Sequence, residues 1–298
     1  MTESKRIEAG VLEVAYEEAG DRQGKPVILL HGFPYDVRAF DEVSQRLEAS
    51  GCRVIVPYLR GYGPTRFLSA QTPRSGQQAV LAQDLLSLMD ALELPSATLA
   101  GYDWGGRAAC IATALWPERV DGLVTVNGYN IQDIPQALEP QSPENEHRYW
   151  YQWYFHGERG RRGLEQNRHA LCKLLWQLWS PHWDFDDATY ARTAASFDNP
   201  DFVDVVIHSY RHRYGLVPGD PAVEPIEEQL TSQPRIRVPT VAMDGDGDGV
   251  MRIGGCADHA RHFEAGYRRE VIPLVGHNLP QEAPEPFADA VLSVVPKR

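Results

Sequence analysis

One turn in this chain has the residue types for covalent chemistry. The short apolar run Ala97-Thr98-Leu99-Ala100 meets Gly101-Tyr102-Asp103-Trp104-Gly105-Gly106 and then a stretch of helical character. Small residues on either side of Asp103 permit a turn tight enough to push that side chain out at the carboxyl end of a strand. A carboxylate is already charged at neutral pH, so it can attack a saturated carbon where a serine must first lose a proton. The product is an alkyl ester of Asp103, and water must then cleave that ester with the help of a base. His277, in Gly276-His277-Asn278, is the candidate base. An acid must orient its imidazole, and Gly245-Asp246-Gly247-Asp248 offers two. The same stretch mimics a calcium loop, with Asp244, Asp246, Asp248 and Gly249 at loop positions one, three, five and six. Position twelve is Gly255 where a bidentate Glu is needed, so calcium is rejected. No metal and no cofactor is expected.

These residues need a rigid frame. Val27 to Leu30, Arg53 to Pro57, Ala97 to Ala100, Gly122 to Val126 and Val238 to Met243 are short apolar runs of the kind that form strands buried on both faces. Gln78 to Leu94 carries apolar residues at helical spacing up to Pro95, and Gly106 to Trp116 reads as a second helix ending before Pro117. Strands alternating with helices imply an α/β protein with a mostly parallel sheet covered on both faces. The alternation fails between Ile131 and Val217, which hold five of the seven tryptophans (Trp150, Trp153, Trp176, Trp179 and Trp183) with helical spacing. The expected organisation is therefore a core over 1–130, a helical lid over 131–217 and the rest of the core over 218–298. Pro218 to Pro234 reads as the return linker. Aromatic residues suit packing onto the sheet domain and suit the lining of an apolar pocket equally well.

Composition narrows the partner. The 298 residues are 43% apolar and 23% charged, and 29 basic against 41 acidic side chains give a formal charge of −12. That balance argues against a generic grip on nucleic-acid phosphates or anionic lipid and favours a small-molecule substrate. No apolar run approaches the roughly 18 to 20 residues of a membrane span, and no secretory h-region opens the sequence. Cys52, Cys110, Cys172 and Cys256 lack the spacing of a zinc or redox site and fit reduced packing thiols. A cytoplasmic monomer or homodimer is expected.

With these motifs in order, the chain resembles the α/β-hydrolase family, and within it the aspartate-nucleophile branch of epoxide hydrolases and dehalogenases. The resemblance rests on His31-Gly32-Phe33-Pro34, Arg60-Gly61-Tyr62-Gly63, the turn at Asp103, Gly245-Asp246-Gly247-Asp248 and Gly276-His277-Asn278. It implies Asp103 as nucleophile and His277 as base. Asp248, three residues beyond Gly245, is the implied acid, with Asp246 in reserve. The implied oxyanion hole is the amides of Phe33 and Trp104, and a cis bond is implied before Pro34. His31, Pro34, Trp150 and Trp153 are expected around the substrate.

The leaving group depends on the lid. An epoxide opens to an alkoxide that needs an acidic hydrogen bond, and a phenol stays protonated at neutral pH and can donate one. Trp150-Tyr151-Gln152-Trp153-Tyr154-Phe155 and Ser209-Tyr210-Arg211 resemble the two lid-tyrosine segments of epoxide hydrolases, which implies Tyr151 and Tyr210 as the donors. Haloalkane dehalogenases share Trp104, but Phe33 stands where their halide-binding Asn often sits. Of the two arginines and the His-Trp pair of haloacetate dehalogenases only Arg107 has a match, and it either binds a substrate carboxylate or pairs with a neighbouring acid. Epoxide opening is the favoured reading, dehalogenation by the same triad is the alternative, and a non-catalytic ligand receptor is a third.

Overall fold

The computed structural model describes residues 4–251 and 254–297. Nine strands among these form one sheet: β1 (Lys5–Ala9), β2 (Leu12–Ala19), β3 (Lys25–Leu30), β4 (Cys52–Pro57), β5 (Arg66–Phe67), β6 (Ala97–Gly101), β7 (Val120–Val126), β8 (Thr240–Gly245) and β9 (Tyr267–Ile272). Their order is β1-β2-β4-β3-β6-β7-β8-β9, with β5 paired to β2. From β4 to β9 every pairing is parallel, while β1 with β2 and β2 with β4 run antiparallel. The continuous apolar runs form the sheet's interior: β4 and β6 are buried along their whole length. Parallel strands buried on both faces read this way because helices cover each side.

α1 (Asp41–Ala49) and α11 (Pro284–Val294) lie together on one face, and α2 (Gln78–Ala91) and α3 (Asp103–Leu115) on the other. The chain goes from β3 outward to β4 and returns to the other side of β3 as β6. Open α/β sheets bind ligands outside the strand carboxyl ends at such a reversal, and Phe33 and Asp103 both lie there.

Between β7 and β8 the described chain forms α4 (Pro143–Arg148), α5 (Trp150–His156), α6 (Glu158–Trp179), α7 (Asp187–Ala194), α8 (Phe202–His212) and α9 (Glu224–Leu230), and no strand. α6 kinks at Asn167, whose φ of −126° and ψ of 24° leave helical space. The two ends of this stretch are clasped at one point. Gln78 accepts the Gln132 amide at 2.8 Å and donates to its carbonyl at 3.3 Å, and Gln233 donates to the same carbonyl at 3.3 Å.

The structure departs from the sequence expectations in three places. Pro218 to Pro234 is not a plain linker, because Glu224–Leu230 forms α9 and its buried Glu227 accepts the Ala79 amide at 3.0 Å near the start of α2. A carboxylate placed there satisfies an amide without an intrahelical partner. α3 begins at Asp103, three residues before the expected start. β1 and β9 are edge strands with exposed charges, so they lack the apolar run by which their neighbours were recognised.

Candidate active site

Asp103 is the first residue of α3, and its φ of +50° lies in the left-handed region that side chains avoid. The surroundings leave no room for anything but glycine. A Cβ on Gly105 would stand 2.1 Å from the Leu30 carbonyl oxygen, and one on Gly32 would stand 2.4 Å from the Asp103 side chain. The strand-turn-helix therefore closes against the β3 loop and aims the carboxylate into it.

That loop contains the cis Phe33-Pro34 bond, and the Phe33 amide donates to Asp103 Oδ1 at 2.7 Å. Among the described residues no bond joins the Trp104 amide to Asp103, but as the second residue of α3 that amide has no carbonyl to pair with inside the helix. On the other side stands His277. Its Nδ1 donates to Asp248 Oδ2 at 2.8 Å, and its Nε2 lies 3.7 Å from Asp103 Oδ2, buried and without a hydrogen-bond partner.

Asp248 is held as an acceptor. Its Oδ1 takes the amides of Val250 and Met251 at 2.8 and 2.9 Å, and Asn127 donates to Oδ2 at 3.3 Å. Asp246 is exposed and accepts the Leu274 amide at 2.5 Å, so of the two candidates only Asp248 meets the imidazole. Burial on its own would favour a neutral imidazole, but Asp248 and Asp103 overcome it and lift the His277 pKa to about 10. Burial would likewise raise the Asp103 carboxyl, yet His277, Arg107 and the Phe33 amide outweigh it and hold the pKa below the ordinary value. The resting pair is thus carboxylate and imidazolium.

Tyr151 and Tyr210 face one another from α5 and α8 with ring centroids 5.4 Å apart, both buried. Burial raises both phenols above the ordinary value, so each keeps its proton at neutral pH. The Tyr210 ring meets Phe33 at 5.5 Å, and Tyr151 packs on Trp179, which in turn packs on His277. Arg107, one helical turn beyond Asp103, is buried too, with its Nε 3.4 Å from the Asn130 carbonyl.

The remaining expected residues are placed differently. His31 does not face the site: its Nδ1 donates to the Gly32 carbonyl at 3.2 Å and its Nε2 accepts the Leu59 amide at 3.1 Å. Trp153 is 38% exposed and packs on His156 and Tyr214 on the outer side of α5. Trp150 is half-buried behind Tyr151. Pro34 is buried and contributes its carbonyl to Trp176 Nε1 at 2.8 Å, which fixes the loop to α6. A cleft of about 980 Å³ lies elsewhere, lined by Glu17, Arg38, Asp41 and Arg192 among others. Arg38 and Arg192 there pair with Asp41, and no imidazole lines it, so convergent chemistry marks the site better than size does.

Three residues escaped the sequence reading. Glu282 brackets the base: it accepts the Gly276 amide at 2.7 Å, the Asn278 amide at 3.1 Å and the Ser180 hydroxyl at 2.6 Å. Asn127 supports Asp248, and Arg213 stacks over Tyr210 with its guanidinium carbon 4.2 Å from the ring centroid. Glu282, five residues past His277, was the only one with a local signal.

Comparison with known proteins defines the family. The chain matches the alpha/beta hydrolase fold family over residues 25–284 and belongs to it. A solved structure from Klebsiella pneumoniae subsp. pneumoniae, provisionally described as an epoxide hydrolase, is 46% identical with a TM-score of 0.96, covering 98% of this chain and 96% of that one. Human epoxide hydrolase 4 is 35% identical over 131 residues, 41% of this chain and 33% of that protein. A haloalkane dehalogenase of Psychrobacter cryohalolentis is 35% identical over 108 residues, 36% of this chain and 35% of its own length. The matched stretch spans about a third of the length of those two curated relatives. No helix among the described residues is long and apolar enough to cross a membrane.

Proposed function

We propose that this protein hydrolyses an epoxide to a diol through an ester of Asp103, with α4–α8 acting as a lid over the site. The observation that carries the reading is the placement of two protonated phenols, Tyr151 and Tyr210, across from a carboxylate flanked by an imidazole. In the first step Asp103 forms a bond to a ring carbon, the ring C–O bond breaks, and a phenol protonates the alkoxide. In the second, His277 Nε2 takes a proton from water, the hydroxide attacks the ester carbonyl, and the acyl–oxygen bond breaks to release the diol. Before this step the resting imidazolium gives its proton to the tyrosinate, and the proton then gathered from water restores the imidazolium; the Phe33 and Trp104 amides hold the tetrahedral oxyanion.

The charges around His277 explain how it becomes a base only after the first step. Two carboxylates keep it protonated at rest. Esterification neutralises Asp103 and removes one of them, so the imidazole pKa falls when a base is needed. Hydrolysis of the ester should therefore slow as pH drops and protonates His277. Replacing His277 with Gln should leave alkylation possible and stall hydrolysis. Intact mass spectrometry would then show a substrate-sized adduct on an Asp103 peptide, and its absence in a single turnover would refute the covalent route.

A second reading has one observation in its favour. The indole N–H groups of Trp104 and Trp179, both buried and both packed on Phe33, have no acceptor among the described residues, and weak donors of this kind suit a departing halide. Halide release from a haloalkane, with epoxides left intact, would establish it.

A further inference from the structure

Two arginines near the site, Arg107 beside Asp103 and Arg213 beside Tyr210, are more than nine-tenths buried and, among the described residues, are ion-paired to no carboxylate. Arg107 is 9% exposed and touches the protein through the 3.4 Å contact of its Nε. Arg213, just past α8, is 8% exposed; its Nε and Nη2 reach only the Ser209 carbonyl and hydroxyl, at 3.3 and 3.2 Å. Among the described residues neither forms an ion pair, and both Nη atoms of Arg107 and Nη1 of Arg213 make no hydrogen bond. Other buried arginines in the fold differ sharply: Arg53 meets Glu18 at 2.6 Å, and Arg60 meets Asp84 through two nitrogens at 2.6 and 2.7 Å.

The two cations belong to one constellation. Arg213 covers Tyr210, and the field at Arg107 is set by Arg213, Asp103, Tyr210 and Tyr151. Burial and the like charge of Arg213 together pull the Arg107 pKa down to about 10. An unpaired charge out of water is costly, and a second of the same sign beside it more so. The protein's own carboxylate does not cancel them. The Asp103 carboxylate is shared between His277 and Arg107, and among the described residues no carboxylate is paired with Arg213. Esterification removes the Asp103 charge, the one carboxylate whose field supports the Arg107 cation. An anion delivered with the substrate corrects both states, and a planar carboxylate matches free guanidinium nitrogens in shape as well as sign.

We propose that Arg107 and Arg213 together bind a carboxylate of the substrate, which makes that substrate a small epoxy acid with its acid group close to the ring. The inference rests on the alkylation of Asp103 proposed above. Arg107 approaches from the helix that carries the nucleophile and Arg213 from the one that carries Tyr210, so the acid group is gripped from the sheet side and from the lid side at once.

The test compares glycidate with its neutral isostere glycidamide. Wild type should prefer glycidate in kcat/KM, and the glycidate-to-glycidamide ratio should fall about tenfold or more in each of Arg107→Met and Arg213→Met, mainly through KM. Lysine at either position should restore part of the ratio, which a variant that has merely misfolded would not show. Equal use of the two epoxides by wild type, or a ratio that neither substitution changes, overturns the proposal and leaves epoxide hydrolysis standing. If neither epoxide is opened, calorimetric titration with propanoate separates the two ideas. Binding that is lost in both Met variants upholds the carboxylate site while the epoxide reading fails, and no binding to wild type overturns the site as well.

Discussion

At the scale of single residues, the site separates groups that touch the reacting atoms from groups that aim them. If Tyr151 and Tyr210 both donate to the opening ring, changing either to Phe removes one hydrogen bond formed in the transition state. At roughly 2 to 4 kcal/mol that is a loss of about 30- to 1000-fold in the alkylation rate, measurable by pre-steady-state mixing, with hydrolysis of a formed ester unaffected. Alkylation unchanged in the double variant would leave the tyrosines as packing. In the proposed reaction Asp248 aims rather than reacts, because its 2.8 Å bond to Nδ1 would fix the imidazole tautomer. Asp248→Asn should slow ester hydrolysis by orders of magnitude, whereas Asp246→Asn, which alters a bond to the Leu274 amide, should be mild. The proposed nucleophile and base, Asp103 and His277, stood out because they lie in short glycine-bounded turns. Arg213 and Asn127 were not, since their roles arise only when α8 and the end of β7 are brought to the site from elsewhere in the chain.

At the scale of elements, the loop that carries His277 is held from two sides. The His277 amide donates to the Trp179 carbonyl at 3.1 Å, at the end of α6, and Glu282 on α10 (Leu279–Glu282) takes the amides on either side of the base. Glu282→Gln keeps the shape but replaces one acceptor with a donor facing an N–H, which loosens the loop. Ester hydrolysis should slow by about tenfold while alkylation stays close to wild type, and equal slowing of both steps would assign Glu282 to stability alone. The interior strands were readable because their apolar runs need no context. β1 and β9 were not, because an edge strand exposes charges and differs little from a loop in composition. Nor was α9, whose proline and acidic residues suit a first helical turn and a linker equally well.

At the scale of the whole molecule, two buried groups outside the chemistry set opposite trends of stability with pH. Burial lowers the His31 pKa to about 4, so the unfolded chain binds a proton first and stability falls as pH drops from 6.5 towards 4. Burial raises the Asp36 pKa to about 6, against opposing hydrogen bonds from Ser196, Arg38 and Thr193. There the folded state takes the proton first, and stability is gained as pH drops from 6 towards 3.8. Each shift is on the order of 3 kcal/mol, and the windows overlap, so the two largely cancel. Asp36→Asn removes the gain alone. Denaturant unfolding between pH 7 and 4 should therefore show a steeper acid loss in the variant than in wild type, by about that amount. Equal slopes would mean that Asp36 stays charged in the fold.

The clasp formed by Gln78, Gln132 and Gln233 brings the two ends of the chain between β7 and β8 to the same spot. A segment whose ends already touch can be lengthened, shortened or exchanged without forcing the sheet to reopen, much as a cartridge is changed in a fixed holder. Asp103, Asp248, His277 and the Phe33 amide all belong to the holder; Tyr151, Tyr210 and Arg213 travel with the cartridge. Divergence within such a lineage can then alter what is recognised while the groups borne by the sheet are inherited intact. The Trp179 carbonyl, which accepts the amides of both Gly249 and His277, is, with the Ser180 hydroxyl on Glu282 and Arg148 on the Asp248 carbonyl, a coupling that any replacement has to reproduce at the base.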